Sequence, residues 1–419
     1  MKSKIELLAP AGSLQKLKYA ISFGADAIYC GMPDFSLRVR INKFSKEDLE
    51  EAVKYVHERG KKIYVTLNIY AHNSHLEKIK EHLGYLNGLG IDAIIVSDPG
   101  IIMLIKKYCP GVEIHLSTQA NATNYEAVEF WKSQGVSRVI LAREASLPEI
   151  KEISEKVEGI ELETFVHGAM CMSYSGRCIL SKWVTGRSGN LGDCSQPCRW
   201  AYHEVQNMGH GEKEISLVDD QNRFGMDVEE DRHGTYMFNS YDMNLIEHVG
   251  EVIDSGITSL KIEGRAKSAY YLAVVVRAYR RVIDAIENGA TTEELAGIVA
   301  EQKAELDNLA HRGYSTGFLL GEEPTHNFEN KLNKGNFEFV GEVEGTQGKA
   351  NIIRAHNHFS IDDSLEAITP LGNIPVRIVR IIDMNGNKVS NANGGHEGRY
   401  AVELDRVLEE WSLLRNKFN

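Results

Sequence analysis

Short apolar runs recur through the first two-thirds of the chain, at 6–9, 27–30, 63–67, 93–96, 113–116, 136–141, 162–166 and 259–262. Between them, segments such as 46–59 and 76–89 return apolar residues every three or four positions on a charged background. The first pattern predicts buried strands and the second amphipathic helices. Each run ends in small or polar residues, as Pro10-Ala11-Gly12-Ser13 and Ser117-Thr118-Gln119 illustrate. Eight strands alternating with helices predict an α/β fold, a (β/α)8, TIM-like barrel, rather than an open doubly wound sheet. A long interval precedes the eighth run, and it holds most of the cysteines. In such a barrel chemistry gathers at the C-terminal ends of the strands, so the residues just after each run are the ones to inspect.

Amphipathic segments at 269–288 and 292–308 predict two further helices, the first packing on the barrel exterior. From about residue 327 the pattern changes to short strands with glycine-rich turns, such as FEFVGEVEG, KANIIRA and PVRIVRIID. This predicts a small β-barrel. The expected organisation is a catalytic barrel over 1–325, with a cysteine-rich insertion at about 167–235, and an accessory β-barrel over 326–419. From 328 to 419 the chain carries 11 basic and 13 acidic residues, so charge alone gives that part no nucleic-acid signature.

At 419 residues, 42% hydrophobic and 25% charged, the chain is long and apolar enough for a sizeable core. A formal charge of -12 argues against a generally basic, nucleic-acid-coating surface and leaves room for a local basic patch. No apolar stretch approaches membrane-spanning length, and the opening MKSKIELLAPAG is too short in its apolar run for a secretory signal. The expectation is a cytoplasmic protein with no membrane contact. Neither a G-x-G-x-x-G fingerprint nor a G-x-x-x-x-G-K-[ST] loop occurs, so nucleotide chemistry has no motif support.

Of six cysteines, Cys30 and Cys109 stand apart, and Cys30 reads as a buried structural thiol. The other four form Cys171-x6-Cys178-x15-Cys194-x3-Cys198. In a large, cysteine-poor chain these predict a metal-binding set rather than disulfides. Structural zinc usually comes as two tight knuckles, and only Cys194 and Cys198 have that spacing. The wide gaps favour a 4Fe–4S cluster, while spacing alone leaves zinc open. From 165 to 203 there are four basic residues against one acidic, a positive patch that suits an anionic partner or balances an anionic cluster.

The segment His167-Gly168-Ala169-Met170-Cys171-Met172-Ser173-Tyr174-Ser175-Gly176-Arg177-Cys178 resembles a known family. So do Gly192-Asp193-Cys194-Ser195-Gln196-Pro197-Cys198-Arg199-Trp200, Lys261-Ile262-Glu263-Gly264-Arg265 and His311-Arg312-Gly313-Tyr314-Ser315-Thr316-Gly317-Phe318. The chain is similar to the collagenase-like peptidases of unknown catalytic type, and closest to their prephenate-dependent tRNA uridine hydroxylase branch. That resemblance implies oxygen-independent hydroxylation of wobble uridine to 5-hydroxyuridine. It also implies a 4Fe–4S cluster on Cys171, Cys178, Cys194 and Cys198, prephenate as co-substrate or activator, tRNA as partner, and association with a homologous subunit. The family's older label implies a peptidase as the alternative, and its ribosomal-RNA branch another hydroxylation substrate. No His-Glu-x-x-His zinc motif supports hydrolysis.

The other candidates lie just after the predicted strands. Lys261, Glu263 and Arg265 read as an anion-binding pair with Glu263 as orienter or general base, or as a structural pair of Lys261 with Glu263. His115 shares a direction with Ser117, either as a hydrogen-bonded pair or in a substrate pocket. Gln119 and Asn68 offer amides to a substrate. Arg143 suits a carboxylate, such as that of prephenate, unless it pairs with Glu144. His167 is placed to tune the cluster or shuttle a proton, or makes a structural bond. Asn239, Ser240 and Asp242 predict a turn capping a helix that starts at Met243.

Overall fold

The computed structural model describes residues 4–31, 44–171, 173–191, 193–200, 202–209, 212–220, 225–227, 240–321, 333–395 and 398–418. Seven strands come first: β1 (Glu6–Ala11), β2 (Ala27–Gly31), β3 (Lys62–Leu67), β4 (Ala93–Val96), β5 (Glu113–Leu116), β6 (Arg138–Ile140) and β7 (Glu161–Ala169). The helices between them are α1 (Leu14–Ser22), α2 (Lys46–His57), α3 (Leu76–Leu89), α4 (Pro99–Tyr108), α5 (Tyr125–Ser133) and α6 (Leu147–Lys156). Side-chain caps set several starts: Asp98 accepts from the Gly100 and Ile101 amides, and Ser45 with Asp48 forms a capping box.

After β7 the chain leaves the barrel. It forms the short helix α7 (Leu180–Thr185), then β8 (Tyr202–Gly209), β9 (Glu212–Asp219) and β10 (Gly225–Asp227) in a separate sheet of order β10-β9-β8. It returns through β11 (Asp242–Asn244) and α8 (Val249–Asp254) to β12 (Ser259–Ile262). β12 pairs in parallel with both β1 and β7 and closes the eight-stranded parallel barrel. The expected helix at Met243 is instead β11, antiparallel to the end of β7. Asp242 is held by Arg312 rather than capping a helix, and Ser240 donates to the Met170 carbonyl. Asn239 lies outside the described residues.

The helices α9 (Ala269–Glu287) and α10 (Thr292–Asp307) come next, then the two-residue strand β13 (Tyr314–Ser315), which extends the sheet beside β11. α9 is buried nearly all round, because its outer side is covered in turn. Its Arg277 donates to the Thr369 carbonyl at 2.7 Å, and Tyr270 stacks on Phe339 at 5.3 Å. Those partners belong to the antiparallel barrel of strands Ser364–Thr369, Leu413–Lys417, Phe337–Gln347, Ala350–Ala355, Arg399–Leu404 and Gly372–Asp383. The sequence pattern anticipates five of these. It misses Leu413–Lys417, which joins Phe337–Gln347 to Ser364–Thr369 and closes the barrel. That strand carries Arg415, whose buried guanidinium bonds Glu305 of α10 at 3.0 Å. The expected boundary at 325 falls outside the described residues.

Candidate active site at the barrel mouth

The lower layers of the parallel barrel are filled by charge. Arg138 reaches the centre and pairs with Glu6, with Glu161 at 2.7 Å and with Glu163 at 3.1 Å. Lys261 Nζ lies 2.7 Å from Glu163, and Ser259 Oγ donates to both Glu6 and Glu163 at 3.0 Å. Burial opposes ionisation of Glu163, yet Lys261 and Arg138 outweigh it and hold the carboxyl below the usual range. Burial likewise pulls Lys261 below the ordinary lysine range, opposed by Glu163. The pair suggested between Lys261 and Glu263 does not form, because Glu163 on the neighbouring strand supplies the nearer carboxylate.

His115 belongs to this floor. It is fully buried, edge-on to Tyr64 at 4.7 Å, with Nε2 3.2 Å from the Glu113 carboxylate. Alternation places Glu113, His115 and Ser117 on one face, but two residues of strand rise by about 6.6 Å, so only Ser117 reaches the mouth. Ser117 accepts there from Asn68 Nδ2 at 3.3 Å. His115 is therefore corrected from a pocket residue to a floor residue, paired with Glu113 instead of Ser117.

Above the floor opens a cavity of about 180 Å³. Asn68, Gln119, Arg143, Lys261, Glu263 and Arg265 all line it, as do Cys171, Cys178, Cys194 and Cys198. The Arg143 guanidinium lies over the Phe165 ring at 4.0 Å and donates to the Ala169 carbonyl at 2.7 Å. It does not pair with Glu144, which instead accepts from the Ser175 amide and hydroxyl at 2.7 and 3.0 Å. Arg265 donates to Thr66 Oγ1 at 3.0 Å. Lys261 bridges to Tyr29: its Nζ lies 5.6 Å from the Phe165 ring and 4.4 Å from the Tyr29 ring, and the Tyr29 hydroxyl donates to the Ile262 carbonyl at 2.9 Å and to Glu263 at 3.3 Å. Sequence reasoning passed over Tyr29, Thr66 and Phe165. Their signal was present, since each falls on the inward alternation of its strand.

His167 is placed elsewhere. Strict alternation would aim it inward with Glu163 and Phe165, but the β7–β12 register shifts there: Lys261 pairs with Phe165, and Ile262 with His167. The extra residue, Val166, is a bulge that reverses the facing of the residues after it. His167 consequently packs against Tyr271 and Tyr279 of α9 and against Tyr314, outside the cavity. Burial pushes its pKa down to about 3, so it is neutral near pH 7. The Tyr279 hydroxyl stands 3.5 Å from its Nδ1, so of the expected roles the structural bond holds and the proton shuttle is corrected.

The cysteine segment is sewn over the mouth from β5 and from within. Gly176, at φ +76°, sits so close to strand β5's loop that a Cβ would lie 2.2 Å from the Gln119 carbonyl oxygen and 2.9 Å from the Tyr70 hydroxyl. Ser181 Oγ donates to the Arg187 carbonyl at 2.7 Å and accepts from the Ser195 amide at 2.9 Å, and Arg187 pairs with Asp193 at 2.8 Å. Cys171 is exposed, its three fellows are half-buried, and all four are free thiols. Burial pushes the Cys198 thiol up to about 11, with the three other cysteines adding to the rise and Arg199 opposing it. Among the described residues no three His, Cys, Asp or Glu side chains are grouped for a single ion. Four soft sulfur donors around one wider cavity fit a polynuclear unit better than a lone ion.

Residues 12–329 match Peptidase family U32, and residues 335–415 match the Peptidase family U32 C-terminal domain. The chain belongs to peptidase family U32. It is 40% identical over 447 residues to "tRNA hydroxylation protein P" of Escherichia coli (strain K12), covering 99% of this chain and 97% of that one. It is also 40% identical over 397 residues to "tRNA hydroxylation protein P1" of Bacillus subtilis (strain 168), covering 93% and 89%. A U32 relative with a different name, "Collagenase" of Porphyromonas gingivalis (strain ATCC BAA-308 / W83), is 33% identical over 337 residues, covering 77% and 76%.

The U32 chain contains one match to the nucleophile-elbow pattern G-x-S-x-G, at Gly313-Tyr314-Ser315-Thr316-Gly317. Ser315 lies in β13, accepts from the Gly317 amide at 3.4 Å and does not line the cavity. An elbow needs a strand-to-helix turn that exposes the serine, and this one is a strand beside β11.

Proposed function

We propose that this protein hydroxylates wobble uridine of tRNA to 5-hydroxyuridine in the cytoplasm, without molecular oxygen. Cys171, Cys178, Cys194 and Cys198 hold a 4Fe–4S cluster, and prephenate serves as co-substrate or activator. The observation that carries this reading is the 40% identity, over nearly the whole of both chains, to a protein named for tRNA hydroxylation. The sulfur donor set supports the cluster, which when bound supplies redox or Lewis-acid chemistry at the mouth.

The chain's own residues have separable roles in this proposal. Arg143, lying over Phe165 and tied by one nitrogen to the Ala169 carbonyl, turns the rest of its guanidinium to a carboxylate. Lys261, which also faces the Phe165 ring, and Arg265 add positive charge beside Tyr29. Glu263, oriented by the Tyr29 hydroxyl, is the cavity carboxylate placed to accept a proton. Asn68 and Gln119 offer amides to a base edge or a carbonyl. A homologous partner subunit completes the working assembly.

Nucleoside mass spectrometry of tRNA tests the assignment, using cells that lack the protein and cells rescued with wild type or Cys194→Ser. Loss of 5-hydroxyuridine derivatives, restored by wild type alone, is expected. Unchanged levels in all three sink the tRNA reading, and a change confined to ribosomal-RNA 5-hydroxycytidine would transfer the activity to that substrate.

Peptide hydrolysis is the second reading, favoured by the relative named collagenase. Among the described cavity-lining residues Ser175 meets Glu144, but no histidine stands beside a serine. Proteolysis by metal-free protein, abolished by a single nucleophile substitution, would establish it.

A further inference from the structure

Tyr174, Ile179 and Trp183 are 64%, 72% and 66% exposed, and all three fall in one short segment at the cavity mouth. Tyr174 itself lines the cavity, as do Leu180 and Ser181 of α7. The Trp183 amide donates to the Ile179 carbonyl at 3.0 Å, one helical turn back, so these two side chains stand on one face. Lys182, also exposed, lies beside them. The opposite face is the buried one, where Ser181 is tied to Arg187 and Ser195. Large apolar groups so placed are not left over from packing the segment, which is anchored from its other side.

The basic residues of this segment divide into two kinds. Arg187 is committed to Asp193, and Arg199 bonds Gln196 and the Met170 carbonyl. Arg177 is exposed and makes no ion pair among the described residues. Lys182 donates to the Gly186 carbonyl at 3.1 Å and makes no ion pair among the described residues. Two cations thus share one short segment with the exposed rings, on a chain whose net charge is -12. Ring faces for bases together with cations for phosphates are what unpaired RNA binds. An enzyme acting on a base must also hold that base out of its stack.

We propose that Tyr174, Ile179 and Trp183 form a stacking platform for the target base or its neighbour in an RNA loop, with Arg177 and Lys182 engaging the adjacent phosphates. This rests on the reading of the protein as an RNA-modifying enzyme and goes beyond it by assigning the surface that receives the loop.

The test is titration of the full-length protein with an unmodified anticodon stem–loop RNA, read by tryptophan emission and by calorimetry. Trp183→Ala is expected to weaken binding by about tenfold, while Trp183→Phe keeps the affinity and loses part of the emission change. Tyr174→Ala should weaken binding independently, and the exposed Phe130→Ala on α5 should not. Replacing both Arg177 and Lys182 with alanine should lower the slope of log K against log salt by about two. If wild type binds the RNA and the Trp183 and Tyr174 variants bind equally well, the platform is refuted while the enzyme assignment stands. If wild type binds no RNA, both fall. Variants that alter sedimentation of the protein but not RNA affinity would reassign the patch to a contact between protein chains and overturn the proposal.

Discussion

Lys261 Nζ lies 2.7 Å from the carboxylate of Glu163 on the neighbouring strand, both buried, although Glu263 stands two positions along, just past the end of β12. The pair joins the charged floor of the barrel to the cavity above it, because Lys261 also lines that cavity. Lys261 and Arg138 together balance Glu6 and Glu163 inside the barrel, while Glu161 meets Arg138 from the exposed lower end, and Lys261 places positive charge where an anion would enter.

Glu163→Gln should therefore unfold more easily than wild type. It leaves Lys261 and Arg138 short of a buried counter-charge, a loss worth about 3–5 kcal/mol. Urea unfolding at neutral pH measures it. Because Glu163 titrates below an ordinary glutamate, its contribution is complete above the unfolded-state pKa of about 4.3 and fades as pH falls through the folded value. The variant's deficit should accordingly shrink in acid.

His167 gives a second acid dependence, of separate origin. Its folded pKa of about 3 lies below the unfolded value of about 6.5, so the unfolded chain takes up a proton that the folded one refuses. Stability should drop by about 2 kcal/mol between about pH 7 and about pH 5 from this group alone. His167→Gln, neutral throughout, should flatten that part of the stability curve. An unchanged slope would show that the ring can be protonated where it sits.

Gly176→Ala tests how the cysteine segment is held down. The added methyl meets the Gln119 carbonyl and the Tyr70 hydroxyl, at a backbone angle that side chains rarely adopt. A strain of about 1–3 kcal/mol should lift the segment locally. Iron bound per chain should fall, while the barrel's thermal transition moves by only a few degrees.

Single serine replacements at Cys171, Cys178, Cys194 and Cys198 should each abolish the visible chromophore of anaerobically prepared protein and its hydroxylation activity. Cys30 and Cys109 are buried in the core, and their replacement by alanine should leave the chromophore intact. Full colour after loss of one of the four would exclude it from the ligand set.

Much of the barrel is legible in the chain because burial imposes a regular code on it. The runs at 93–96, 113–116 and 259–262 coincide with β4, β5 and β12, and the others differ from their strands by a few residues at the ends. The cavity was legible in Lys261, which keeps to its strand's alternation, and in Asn68, Gln119 and Glu263, which stand within three residues of the ends of β3, β5 and β12. Leu413–Lys417 escaped because only its first two residues are apolar and Arg415, Asn416 and Lys417 read as a polar tail, so its strand character comes from the two neighbours it bridges.

The alternation of strands and helices, the change of pattern before the second barrel, and the grouping of four cysteines can all be read along the chain. Those come from the spacing of apolar residues and the chemistry of thiols, which are local properties. Only the tertiary structure decided that Lys261 answers to Glu163, that His115 lies in the floor, and that His167 turns towards α9. Each depends on which strand lies alongside and on a one-residue bulge, so it is decided by register between distant segments.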